Sequence, residues 1–144
     1  MRLTNFTDYS LRVLMYVAVQ PDGRATIAEI ATAFGISESH LTKVVHHLGK
    51  RRLLTNVRGH GGGVQLACPA ADINLGAIVR ATEAEAALVE CFNPTTNRCV
   101  ITPVCGLRNA LAQAIETFYA VLDRYTLADI TRDRRRLQSV LAVA

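Results

Sequence analysis

From Asp8 onward the apolar residues Leu11, Leu14, Met15 and Ala18 fall at i, i+3, i+4 and i+7, which lays one apolar stripe along a helix. Pro21-Asp22-Gly23 ends that rhythm. Thr26-Ile27-Ala28-Glu29 then has the form of a capping box and predicts a short second helix through about Ala33. Gly35 permits a tight turn, and Ser37 can cap a third helix in which Leu41, Val44, Val45 and Leu48 repeat the helical period. Two short helices joined by a glycine turn are a helix-turn-helix candidate.

The period then changes. Leu53 to Val57 and Val64 to Leu66 read as strands around Arg58-Gly59-His60-Gly61-Gly62-Gly63, a β-hairpin with a basic, glycine-rich tip. Ile73 to Thr82 reads as a helix, and the acidic, alanine-rich stretch from Glu83 to Glu90 leads into a polar loop. After Cys105, Leu111, Ala114/Ile115, Phe118, Leu122 and Tyr125 repeat in near-heptad fashion along a long helix, and Thr126-Leu127-Ala128-Asp129 caps a final short one. The fold class this predicts is mainly α with a small β-wing. Residues 1–82 form a winged helix-turn-helix domain, 83–105 a cysteine-bearing loop, and 106–144 a dimerisation helix with a short C-terminal helix. The long helix is so apolar that it needs a partner, and a two-fold homodimer would present two recognition helices to a palindromic site.

Composition bounds the class. The 144 residues, half of them hydrophobic, suffice for one core, and no apolar run is long enough to span a membrane. The stretch from Leu11 to Val19 is short, contains Arg12 and lacks a cleavage-type site, so it does not read as a signal peptide and a cytoplasmic protein is expected. The net charge of +4 sits entirely in residues 1–66, which carry eight Lys/Arg against four Asp/Glu, while 67–144 carry eight of each. Such an imbalance suits a polyanionic partner, although on charge alone a merely solvated face is the readier reading. The run Arg132-Asp133-Arg134-Arg135-Arg136 reads as a solvated helix surface or tail.

Off its apolar face the third helix presents Ser37, Glu38, Ser39, His40, Thr42, Lys43, His46 and His47, residue types that meet phosphates and base edges in a major groove. An ordinary exposed helix face is the bland alternative. His46 and His47 point about 100° apart and do not make a shared ligand pair. In the hairpin tip, Arg58, Gly59, His60 and Gly61 suit a DNA-contacting wing: the glycines allow positive φ and close backbone approach. A phosphate-binding loop would need a Gly-Lys-Ser/Thr ending, which is missing. The DNA-binding candidates are thus Ser37, Ser39, His40, Thr42, Lys43, Arg58, Gly59, His60 and Gly61.

Cys91, Cys99 and Cys105 lie within fifteen residues, an odd set that cannot pair fully, and Cys68 stands apart from them. Reduced thiols this close point to metal or redox chemistry. Zinc knuckles of the Cys-x2-Cys type are absent, and the open gaps of seven and five residues suit a larger iron-sulfur cluster better. With little apolar content, the loop needs something else to order it. A thiol switch and a small electron carrier remain rivals. No nucleophile-base pair, phosphate loop or paired catalytic carboxylates is evident, so no enzyme is expected.

Taken together, Met1-Arg2-Leu3-Thr4, Phe6-Thr7-Asp8-Tyr9, the glycine-rich wing, the three cysteines and Tyr125-Thr126-Leu127-Ala128-Asp129 resemble the IscR/NsrR family of dimeric winged-helix iron-sulfur repressors of bacteria over nearly the whole chain. Phe6-Thr7-Asp8 and Ile101-Thr102-Pro103-Val104-Cys105 are similar to the nitric-oxide-sensing branch of that family. The resemblance implies that Cys91, Cys99 and Cys105 ligate an iron-sulfur cluster, 2Fe-2S or 4Fe-4S. In one branch the fourth ligand is a histidine three residues after the last cysteine; here Arg108 stands there and cannot ligate. The other branch uses a carboxylate near the N-terminus of the partner subunit, which maps onto Asp8; a carboxylate in a first helical turn is also favoured by the helix dipole alone. The implied function is repression from a double-stranded DNA operator, released when nitric oxide attacks the cluster.

Overall fold

The computed structural model describes residues 2–83 and 87–141, so part of the expected acidic lead-in to the cysteine loop, residues 84–86, lies outside the described residues. The first helix, α1 (Asn5–Val19), starts before the apolar rhythm does, because Thr4 stays extended and its side chain accepts the Thr7 N–H. The second, α2 (Ile27–Phe34), has both halves of its capping box in place, with the Glu29 carboxylate accepting the Thr26 N–H at 2.6 Å. Gly35, at φ 63°, closes α2 in the left-handed region and lets the chain turn into α3 (Glu38–Lys50), which Ser37 caps. Leu41, Val44, Val45 and Leu48 of α3 are buried as their spacing predicts.

Three antiparallel strands complete the winged unit: β1 (Arg24–Ala25), β2 (Leu54–Val57) and β3 (Gly63–Leu66), in the order β1-β3-β2. The hairpin pairs Leu54 with Leu66 and Val57 with Gly63. No sequence signal marks β1, since two residues have no period; it forms because α1 delivers Arg24 and Ala25 beside Gln65 and Val64. The core gathers Val13, Leu14 and Val17 of α1, Ile30, Leu41 and Leu48 of the helix-turn-helix, and Ile78 of α4 (Leu75–Thr82). Leu127, on the short α6 (Leu127–Ile130), is fully buried in the same core. The chain after the long helix therefore returns to the winged domain, tied by Leu75 N–H to Tyr125 O at 3.0 Å and Leu127 N–H to Ile73 O at 2.8 Å.

The long helix itself, α5 (Gly106–Leu122), has no buried residue. Its C-terminal end is clamped to α4: Arg80 grips the Asp123 carboxylate with both guanidinium nitrogens at 2.7 and 2.6 Å and lies 4.6 Å from the Tyr119 ring centroid. Gly76 makes this approach possible, since a Cβ there would collide with the Asp123 carboxylate.

The arginine run stays exposed on a helix surface, as expected, and one member does more. It opens a further helix, α7 (Arg134–Val140), whose Arg134 Nε donates to Val19 O at 3.1 Å and whose Gln138 side-chain amide donates to the same carbonyl. Arg134 thus serves the last carbonyls of α1, which have no partner within that helix, rather than solvent alone. Among the described residues no helix is long and apolar enough to cross a membrane.

Candidate nucleic-acid interface and cysteine pocket

Each of the nine DNA-contact candidates is exposed: Ser37, Ser39, His40, Thr42 and Lys43 along α3, and Arg58, Gly59, His60 and Gly61 at the hairpin tip. Ser37 is committed to the N-cap, and the Thr42 hydroxyl donates to Glu38 O at 2.8 Å. Lys43 and Arg58 enter none of the ion pairs among the described residues, which leaves both charges free for phosphates. The wing tip is braced from behind by Arg24, whose guanidinium donates to Gly61 O at 3.4 Å.

An open groove lies between the C-terminal half of α3 and β2, lined by Thr42, His46, Lys50, Thr55 and Asn56 among others. Lys50, Thr55 and Asn56 were not singled out in the sequence, because nothing in their spacing reports that β2 lies alongside α3. His47 departs from the expectation that it faces outward with its neighbours. Its ring meets Phe6 of α1 edge to face at 5.1 Å, and its Nε2 is buried without a partner. Burial, then the charges of Arg51 and Lys50, push its pKa below the ordinary value, because each disfavours the charged ring.

The three clustered cysteines are free thiols that line one pocket of about 200 Å³, together with Val89, Glu90, Ile101, Leu107, Arg108 and Leu111. Cys91 sits in a 3-10 turn (Glu90–Phe92), and Cys105 is the N-cap of α5, where its Sγ accepts the Arg108 N–H at 3.4 Å. The loop between them is not left without order. Glu90 accepts the Arg98 N–H, Asn97 accepts the Cys99 N–H at 3.0 Å, and the Asn97 side-chain amide donates to Thr102 at 3.1 Å. Asparagine, threonine and glutamate side chains therefore supply the ordering that apolar burial does not. Cys68 lies elsewhere, half-buried against the core beside Pro69 and Arg134.

Three soft donors on one largely apolar pocket match the ligand chemistry of iron and sulfur. Among the described residues no three His, Cys, Asp or Glu side chains close around a single ion.

Asp8 does not line this pocket within the chain. Its carboxylate pairs with Arg12 at 2.8 Å, and Arg12 in turn lies 5.6 Å from the Phe34 ring centroid on α2. The same turn of α1 rests on the recognition helix through Phe6 on His47 and Tyr9 near His40, ring centroids 6.4 Å apart. Glu83, at the end of α4, anchors this turn from the other side. It accepts the Thr4 N–H at 2.7 Å, the Thr4 hydroxyl at 2.9 Å and the Thr7 hydroxyl. Burial alone would raise the Glu83 pKa, but these donors from Thr7 and Thr4 outweigh it and hold the carboxyl below its ordinary value.

The comparisons with known proteins agree with this architecture. The family model described as "Rrf2: Iron-dependent Transcriptional regulator" matches residues 3–133. The HTH-type transcriptional regulator NsrR of Geobacillus kaustophilus is 51% identical over 142 residues, covering 98% of this chain and 97% of that protein. The protein of the same name from Bacillus subtilis is 44% identical over 142 residues, with 98% and 97% covered. Among solved structures, oxidised CymR of Staphylococcus aureus superimposes with TM-score 0.68 at 26% identity, covering 88% of this chain and 93% of that one. IscR of T. potens gives TM-score 0.75 at 24% identity over 96% and 91%, a likeness of fold. The exposed recognition helix, the basic wing and these relatives converge: the chain is a winged-helix, DNA-binding transcriptional regulator that belongs to the Rrf2 family.

Proposed function

We propose that the protein is a homodimeric repressor that reads its operator with Ser37, Ser39, His40, Thr42 and Lys43 of α3 and Arg58, Gly59, His60 and Gly61 of the wing, and that it senses nitric oxide through an iron-sulfur cluster. The observation that carries this reading is the convergence of Cys91, Cys99 and Cys105 on one pocket at the start of α5. Those three thiolates would hold the cluster, with Asp8 of the partner subunit as the fourth ligand. When bound, the cluster supplies iron that nitric oxide can attack.

The residues of the chain account for the coupling to DNA. Cys105 caps α5, so ligation there fixes the start of the helix proposed to join the two subunits. Asp8 shares its turn of α1 with Phe6 and Tyr9, which rest on α3 at His47 and His40. Asp8, now paired with Arg12, would as a ligand tie the recognition helix of one subunit to the cysteine loop of the other. Without that tie the two recognition helices would lack the fixed spacing that a palindromic site requires.

The test is the visible spectrum of protein purified without oxygen, followed during titration with nitric oxide, with operator binding measured in parallel. A chromophore that bleaches in step with loss of operator binding is expected. A colourless, iron-free preparation sinks the cluster reading. If Asp8→Ala keeps a nitric-oxide-responsive operator complex and an unchanged spectrum, the bridge between subunits is wrong.

A further inference from the structure

We infer that Arg108 is a positioning residue of the cysteine pocket, and that its fixed positive charge sets the electrostatic balance of a cluster held there. This rests on the cluster reading above. Arg108 is the one cationic side chain among the described residues lining the pocket, which also holds three thiols and the carboxylate of Glu90. It touches both ends of the thiol set. Its backbone N–H donates to Cys105 Sγ at 3.4 Å, its Nε donates to Cys91 O at 3.5 Å, and its guanidinium lies 5.8 Å from the centroid of Phe92.

The placement is unusual for an arginine. It lies in the first turn of α5, where the helix dipole disfavours a cation, and it forms none of the ion pairs found among the described residues. Among the described residues no carboxylate pairs with its charge, although Glu90 lines the same pocket. Three thiolates around a dicationic iron-sulfur core leave net negative charge, and a carboxylate ligand adds to it. A cation fixed at the pocket wall offsets that charge, stabilises the assembled site and favours its more reduced state, since net charge is a main determinant of cluster potential.

The test loads wild-type protein, Arg108→Gln and Arg108→Lys with iron and sulfide without oxygen. It measures the midpoint potential by titration with a chemical reductant, the rate of iron loss to a chelator, and the melting temperature of each cluster-free chain. Arg108→Gln is expected to keep the visible spectrum, shift the potential to more negative values and lose iron about tenfold faster, the scale of an outer-shell effect on metal affinity. Arg108→Lys, which keeps the charge but loses the planar contacts to Cys91 and Phe92, is expected to restore the potential. A glutamine variant that cannot assemble a cluster while the lysine variant can also supports the inference. An unmoved potential in Arg108→Gln overturns it, as does a lysine variant displaced as far as the glutamine one. A wild-type chain that takes up no iron overturns the cluster reading itself, and this inference with it.

Discussion

Glu83 joins two distant pieces of chain with one carboxylate, accepting from Thr4 and Thr7 at the start of α1 while standing at the end of α4. Because these donors hold its folded pKa below the ordinary 4.5, its contribution to stability is complete above that pH and is lost as pH falls through the folded value. Glu83→Gln should therefore destabilise the fold at pH 7 by on the order of 1 kcal/mol, the scale of a hydrogen-bonded carboxylate, read as a lower melting temperature. The gap to wild type should close as both are acidified below the folded value, since a protonated glutamate and a glutamine then differ little; a gap constant from pH 7 to pH 3 would rule the anchor out. No local signal marks this residue, as its partners are 76 and 79 positions away. The thiols are the opposite case: Cys91, Cys99 and Cys105 announce themselves by crowding within fifteen residues, and the fold then brings all three to one pocket.

Among the elements, the wing depends on a backbone crossing that only a missing side chain allows. A Cβ on Gly62 would stand 2.6 Å from Val57 O and 2.9 Å from Gly59 O, both backbone atoms that have no room to yield. Gly62→Ala should cost about 1 kcal/mol or more in the hairpin, read as a lower melting temperature together with weaker operator binding and an unchanged visible spectrum. Unaltered operator affinity in that variant would remove the tip geometry from DNA recognition. The helices were readable because capping residues and apolar spacing act within a few positions, as at Thr26-Glu29 and along Leu41 to Leu48. The seventh helix was not. Arg134 belongs to a run that looks solvated, and its role depends on carbonyls of Val19 and Gln20 more than a hundred residues earlier.

At the scale of the molecule, α5 is the unfinished part: seventeen residues long, eleven of them apolar, and with none buried in the single chain. Leu107 is 66% exposed and Val121 44%, at the two ends of the helix. Paired with a second copy, these positions leave water; alone they do not. Val121→Asp combined with Leu107→Asp should convert a dimer to a monomer in sedimentation, with the far-ultraviolet dichroism retained and operator affinity lost. A double variant that still sediments as a dimer would move the interface off this helix. The Arg80 grip on Asp123 ties the C-terminal end of α5 to α4.

What the sequence determined alone was everything governed by near neighbours: six helices, three of them with their caps, the hairpin and its basic tip, the surplus of positive charge in residues 1–66, and a thiol trio on a short loop. These rest on periods of two and 3.6 residues and on caps three positions apart, which sequence order preserves. Tertiary structure alone decided that β1 exists, that His47 turns inward onto Phe6, that Glu83 holds the start of α1, that Arg134 serves its end, and that Arg108 faces the thiols. Each of these depends on which distant backbone donor, acceptor or ring the fold brings within a few ångströms, and that is fixed only when the apolar faces of α1, α3 and α4 close on one core.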